Sequence, residues 1–475
     1  MRIALAIVAG STVITACSQD SATNVPTGSQ LAFLTQPSLL EGQVAIDPPI
    51  RVAIQDAGGN TVAGATTNVT ISLATTSSGA TLSGTTTVRA VNGIATFSDL
   101  SVDVPGEGFG LEAHADGVPA VTSTPFSVHL TFAQLTLGQV HTCAITTAGY
   151  AYCWGNGSSG QLGSGSHVEH HTPWPVKGRL RFRQISAGPH HTCGATLSDA
   201  AYCWGDNLNG TLGDGTTDER QEPTLVTGGV QFSSVQTGAN HSCGLTEAGE
   251  VYCWGMTFGD YSVIVQFAPT LVSGGPAFMR ITVGQGHTCG WTINGVGYCW
   301  GANGGGQLGD STTTGRTTPG LVKGGLRFVQ LSAGYSYTCG VTTDNRGYCW
   351  GYSAEGALGD GTTSMHLAPT ATAGGLSFAA VSAGDFWHTC GLTTTNAAYC
   401  WGHGTDGQLG DGAMSQRPAP SAVSGGLSFV QIEAGIYHTC GITADHRAYC
   451  WGLNDYGMLG DGTIEPSGTP RSVTP

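Results

Sequence analysis

The sequence predicts an all-β fold: a seven-bladed β-propeller preceded by a β-sandwich. Three observations carry that prediction. Tryptophans that each follow a cysteine recur at Trp154, Trp204, Trp254, Trp300, Trp350, Trp401 and Trp451, about 50 residues apart with one shorter step before Trp300. Seven repeats of that length, each with room for several short strands, are what a closed ring of blades needs. Glycine supplies 75 of the 475 residues and only 10% are charged, a turn-rich composition rather than a helical one. Ahead of the repeats, alternating runs such as Ile50-Arg51-Val52-Ala53-Ile54 and Gly93-Ile94-Ala95-Thr96-Phe97 are separated by turn clusters such as Ala57-Gly58-Gly59-Asn60.

Residues 1–17 read as an export signal, with Arg2, an apolar run from Ile3 and small residues before Cys17. The run is too short for a stable membrane span, and no later stretch is apolar enough for one. The ending Ile14-Thr15-Ala16-Cys17 resembles a bacterial lipobox, which implies that Cys17 carries the lipid anchor; Ser18, not acidic, implies the outer membrane or cell surface. An ordinary signal peptide is the alternative. Either reading places the mature chain outside the cytoplasm, where disulfides persist. Residues 18–30 are polar, carry Pro26 and Gly28, and form a flexible tether.

Residues 31–131 contain no cysteine and show short strands at sandwich spacing. The phrases VAIQDAGGNTV and TTTVRAVNGIATFSDLSV resemble the immunoglobulin-like domains of bacterial surface proteins. That resemblance implies an immunoglobulin-like β-sandwich acting as a spacer.

Residues 132–475 hold the repeats. By spacing, the cysteines pair as Cys143 with Cys153, Cys193 with Cys203, Cys243 with Cys253, Cys289 with Cys299, Cys339 with Cys349, Cys390 with Cys400 and Cys440 with Cys450. Together with Cys17 these account for all 15. A β-hairpin centred midway between each pair sets the two cysteines opposite each other, within disulfide reach. One place past the centre stand Gly149, Asp199, Gly249, Gly295, Asn345, Asn396 and His446, residue types that accept the left-handed conformation a three-residue hairpin loop requires. C-x9-C is neither a zinc-knuckle nor a C-x-x-C redox spacing, so structural disulfides are expected and no metal or cofactor is implied.

Two further repeated positions could suggest ligands. A histidine precedes the first cysteine at His141, His191, His241, His287, His388 and His438, with Tyr337 in the fifth repeat. A metal-binding ring is one reading; the tolerance of tyrosine favours a scaffold hydrogen bond. The LGDG acids Asp214, Asp310, Asp360, Asp411 and Asp461 come one per repeat, which suits turn chemistry better than a calcium loop.

Phrases such as FVQLSAGYSYTCGVTTDNRGYCWG resemble the repeats of the regulator of chromosome condensation family over Phe132 to Pro475. The resemblance implies a seven-bladed propeller. Its eukaryotic founder exchanges nucleotide on a small GTPase and binds chromatin, and a bacterial relative inhibits β-lactamases. An exported chain with a net charge of −15 would repel phosphates, so nucleic-acid binding and guanine-nucleotide exchange are set aside.

The repeats share scaffold, so function is expected where they differ. An antiparallel hairpin returns to the side it left, which puts the loop ahead of each first cysteine and the loop after each WG on one face. There repeats five to seven carry Tyr335, Tyr352, Phe386, Trp387, His403 and Tyr437, and repeat three replaces the usual loop with a stretch containing Met256, Phe258 and Tyr261. Aromatics on neighbouring loops suit a protein or glycan surface. No H-E-x-x-H, G-x-S-x-G or P-loop motif is present, so no catalytic residue is assigned. The expected function is non-catalytic binding of an extracytoplasmic protein or glycan by a lipid-anchored propeller. A metal-assisted propeller lyase using Asp385 or His403, and a purely structural envelope protein, stand as rivals.

Overall fold

The computed structural model describes residues 29–74, 79–258 and 263–474. Cys17, the export signal and Tyr261 lie outside them.

The N-terminal unit is built from short strands. Gln30–Phe33, Ile50–Gln55 and Ile94–Phe97 form one sheet; Val118–Thr122, Leu111–Ala115, Asn68–Leu73 and Thr87–Arg89 form a second; Leu40–Glu41, Phe126–His129 and Gly106–Phe109 form a third. Alternation decides what is inside. Ile50 and Val52 are buried while Arg51 is exposed, and Val69 and Ile71 are buried beside exposed Asn68. These side chains join Phe97, Leu111 and Val128 in one core between the sheets.

From Phe132 the chain makes seven four-stranded antiparallel sheets, each from four consecutive strands. In blade 1 these are Phe132–Leu137, His141–Thr146, Ala151–Gly155 and His170–Pro175. Blades 2 to 7 follow over 182–225, 234–271, 280–321, 328–371, 378–422 and 429–472. The first strands of successive blades touch one another around the ring, blade 7 against blade 1 included, and so line its centre.

Two devices bring the inner strands together. Gln431 in blade 7 accepts from Leu135 N and donates to Leu135 O in blade 1, both at 3.0 Å. Gln134 and Gln330 make the same two-pronged contact with Ile185 and Val381 of the following blades. The glycine after each inner strand packs against the next blade's glycine: a Cβ on Gly188 would lie 2.6 Å from Gly238 O and 2.8 Å from its own blade's His191 ring. Only glycine fits at that convergence.

The sandwich docks on blade 1. Tyr152 Oη donates to Asp103 O at 2.6 Å, Arg179 donates to Gln43 O at 2.9 Å and Ser101 Oγ at 3.0 Å, and Trp174 packs on the sandwich core.

Candidate functional site

Each blade's second and third strands form the expected hairpin, with its two cysteines directly opposite, as Cys143 is to Cys153. Every pairing expected from the spacing is a disulfide. Cys143 is bonded to Cys153, Cys193 to Cys203, Cys243 to Cys253 and Cys289 to Cys299. Cys339 is bonded to Cys349, Cys390 to Cys400 and Cys440 to Cys450, and across all seven the Cα atoms lie 4.0–4.1 Å apart. Thr146 N bonds Tyr150 O while Gly149 N bonds Thr146 O, which makes the loop three residues long. Its third residue has positive φ in every blade, including Asp199, Asn345, Asn396 and His446 at 61–64°.

At the other end of the hairpin two loops meet. Asn156 N bonds Val140 O, and the same bond recurs as Tyr352 N to Ser336 O, His403 N to Trp387 O and Leu453 N to Tyr437 O. The residue after WG therefore sits beside the residue ahead of the buried His or Tyr, on one face of the ring.

The structure brings six of the singled-out residues together there. Phe386 stacks on Trp387 (centroids 4.8 Å apart), lies 5.0 Å from Tyr437 and meets His403 edge-on at 5.4 Å. Trp387 in turn lies 6.0 Å from Tyr335 and 6.1 Å from Tyr352. The cluster crosses blades 5, 6 and 7. Tyr352 is 40% exposed and the other five are half-buried.

Blade 6 has one residue more than its neighbours in this loop, and Trp387 absorbs it with a left-handed φ of 58°. A bulky side chain in that region is a backbone outlier, held by its surroundings. Its buried Nε1 has no hydrogen-bond partner among the described residues. Acids edge the cluster. His403 has Glu355 and Asp406 each at 3.7 Å, and desolvation pushes the Asp385 carboxyl up to about 7. Glu355 was not foreseen from sequence, because only the fold sets it beside His403 of the next blade. Met256 is half-buried on blade 3 and joins no ring contact of the cluster; Phe258 continues the same strand, paired with Val263.

The repeated histidines belong to the scaffold. His141 Nε2 lies 3.0 Å from Thr192 Oγ1, His191 3.0 Å from Ser242, His241 3.1 Å from Thr288, His287 2.8 Å from Thr338, His388 3.0 Å from Thr439 and His438 2.8 Å from Thr142. In blade 5, Tyr337 Oη donates to His388 O at 2.7 Å instead. Thr142 Oγ1 gives its proton to Met458 O, so it accepts from His438 Nε2–H. That tautomer leaves Nδ1 bare, and Nδ1 of His141, His241, His287, His388 and His438 has no partner among the described residues. Burial drives these rings neutral, with pKa values of about 3 to 4. The LGDG acids are turn residues: Asp214 accepts from Thr216 and pairs with Arg220, Asp360 with His366, and Asp461 with Arg471. Among the described residues no three His, Cys, Asp or Glu side chains are grouped to hold a metal.

Comparison with known proteins agrees with this geometry. Residues 132–161, 182–211, 232–258, 328–357, 378–408 and 429–457 match one model of the regulator of chromosome condensation (RCC1) repeat, and residues 148–195, 294–341 and 396–442 match a second. No curated protein matches the chain. Among solved structures, human WBSCR16 superposes with a TM-score of 0.59 at 20% identity over 70% of this chain and 92% of its own. Prp20p of Saccharomyces cerevisiae, described with its binding to Gsp1p and histones, gives 0.60 at 20% identity over 73% and 88%. Likeness at that identity speaks for the fold alone.

Proposed function

Because the chain belongs to the RCC1 repeat family, we propose that its propeller is a binding scaffold rather than an enzyme and offers one aromatic face to a partner outside the cytoplasm. The single observation that carries the reading is the convergence of Phe386 with Trp387, His403 and Tyr437 across two blades. Scaffold positions elsewhere on the ring repeat; these do not. Ring faces beside carboxylates suit a protein anchor or the apolar face of a sugar flanked by hydroxyls. The strained φ of Trp387 and its unpaired Nε1 add a donor whose partner a ligand could supply.

Seven disulfides suit an oxidising, extracytoplasmic compartment. In our reading Cys17 anchors the chain by lipid and the immunoglobulin-like unit over 31–131 is a spacer that holds the propeller off the membrane. A net charge of −15 opposes any use of the face on nucleic acid.

The test is retention of envelope proteins and arrayed glycans by immobilised protein, wild type against the combined variant Phe386→Ala, Trp387→Ala, Tyr437→Ala. A partner held by the wild type should bind the variant at least about tenfold more weakly, as loss of an interface anchor does. Equal retention by a folded variant would remove this face from the proposal.

A further inference from the structure

Six of the seven blade interfaces are filled by the same five-residue turn from the preceding blade. In blade 1 it is Gln161-Leu162-Gly163-Ser164-Gly165, and in blade 2 Thr211-Leu212-Gly213-Asp214-Gly215. The carbonyl of its first residue takes two donors from the next blade. Gln161 O accepts from Trp204 Nε1 at 2.9 Å and Thr192 Oγ1 at 3.0 Å; Thr211 O accepts from Trp254 Nε1 at 2.8 Å and Ser242 Oγ at 2.9 Å. Blades 4 to 7 present the carbonyls of Gln307, Ala357, Gln408 and Met458 in the same way. The amide four residues on bonds the next blade's outer strand, as Gly165 N to Gln221 O and Gly215 N to Phe267 O. The carbonyl of the middle glycine accepts from its own blade, as Gly163 O from Lys177 N. The leucine is fully buried, and the indole lies against the glycine so closely that a Cβ on Gly163 would sit 2.8 Å from Trp204 Nε1.

The described residues of blade 3 form no such turn. Its third and outer strands, Val251–Phe258 and Val263–Leu271, stay paired as far as Phe258 with Val263 instead. Four groups at the interface with blade 4 consequently lack the bonds their counterparts make: Trp300 Nε1, the Thr288 hydroxyl proton, Ser273 N and Thr317 O have no corresponding partner among the described residues. In place of the turn is a cleft of about 180 Å³ that all four residues line. Its floor is apolar and has lost its cover. Trp300 is 5% exposed where the six tryptophans at the same position of the other blades are 0%, and Cys253 is 7% exposed where the other second cysteines are 0%. The outer strand beside it exposes Val265, Phe267 and Leu271.

We propose that this cleft is a docking site for a partner polypeptide turn of the form X-Leu-Gly-Asp-Gly, held as the chain holds its own six. The cleft offers two convergent donors for the carbonyl of X, an apolar slot for leucine, an indole face that admits only glycine next, and an acceptor for the final amide. Each requirement is read from the six filled copies. An indole N–H and a hydroxyl that both border the cleft, where six other joints set them on one backbone carbonyl, favour a polypeptide backbone over an apolar small molecule. The site lies between blades 3 and 4, apart from the aromatic face on blades 5 to 7, so the two can be tested separately.

The probe is a fluorescein-labelled synthetic peptide copying residues 207–216, Asn-Leu-Asn-Gly-Thr-Leu-Gly-Asp-Gly-Thr, titrated against the disulfide-intact protein by anisotropy. Saturable one-to-one binding is expected. Aspartate in place of the buried leucine, or alanine in place of the glycine after it, should weaken binding about tenfold or more. Trp300→Phe should weaken it about three- to tenfold, as loss of one hydrogen bond does, with a thermal melt confirming the fold. A variant in which residues 256–265 are exchanged for residues 206–219 restores the turn and should bind no peptide while melting higher. Failure of the wild type to saturate, or binding indifferent to the peptide changes, would overturn the proposal. The peptide changes decide the matter even if Trp300→Phe unfolds the protein.

Discussion

His438 in the last blade meets Thr142 in the first, Nε2 to Oγ1 at 2.8 Å, and completes a belt of side-chain contacts through every blade interface. Burial keeps each ring in that belt neutral, and Nδ1 of His141, His241, His287, His388 and His438 has no partner among the described residues. The belt therefore couples ring closure to the protonation of six histidines.

Acid should loosen the propeller. The folded pKa values are about 3 to 4 against 6.5 in the unfolded chain, so the unfolded state binds more protons between those limits. The belt's contribution to stability is fully present above pH 6.5 and is lost as pH falls toward 3. Each histidine adds a slope of up to about 1.4 kcal/mol per pH unit in that window. Calorimetric melts from pH 8 to pH 4 should show Tm level at first and then falling steeply. His191→Tyr, which copies blade 5, should shallow that fall; a Tm indifferent to pH would contradict the neutral belt.

Removal of one staple should be felt but survived. Each disulfide joins residues 10 apart and so stabilises by about 2 to 3 kcal/mol on loop entropy. Cys143→Ala with Cys153→Ala should lower the unfolding free energy from urea titration by that amount and leave the transition cooperative. An unchanged midpoint would mean that the pair does not constrain the unfolded chain.

The inner glycines should tolerate nothing larger. Gly188→Ala would drive a methyl into Gly238 O and the His191 ring, an overpacking of about 1 to 3 kcal/mol. Gly304→Ala, with open space around it and ordinary φ, should fall within about 0.5 kcal/mol of wild type. Denaturant unfolding of the two side by side separates crowding at the ring centre from a general effect of losing glycine.

How much of this was legible depended on how local the information was. The hairpin, its disulfide and its left-handed turn residue all lie within one short phrase, so the pairing of Cys143 with Cys153 and the positive φ at Asn345 and His446 could be read directly. The aromatic cluster was legible from chain direction, which fixed the face, and the structure supplied the contacts of Phe386. Contacts between blades were not legible. That the repeated histidine serves the next blade's threonine, or that a change of loop near Met256 strips partners from Trp300, depends on residues about 50 positions apart meeting in the ring. Nor does anything around Tyr152 in the sequence announce its bond to Asp103 of the preceding unit.

Every disulfide joins strands of one blade, and each blade is a single unbroken run of chain, so no covalent bond and no exchanged strand spans the joint between blade 7 and blade 1. That joint is held by Gln431 on Leu135, His438 on Thr142 and Trp154 on Met458, contacts of the same kind that hold the other filled joints. The place where the ring opens is thus arbitrary in energetic terms. A circular permutant that links the ends of the propeller and starts at another blade would rebuild the same circle, and its weakest joint would stay between blades 3 and 4 wherever the new ends fell.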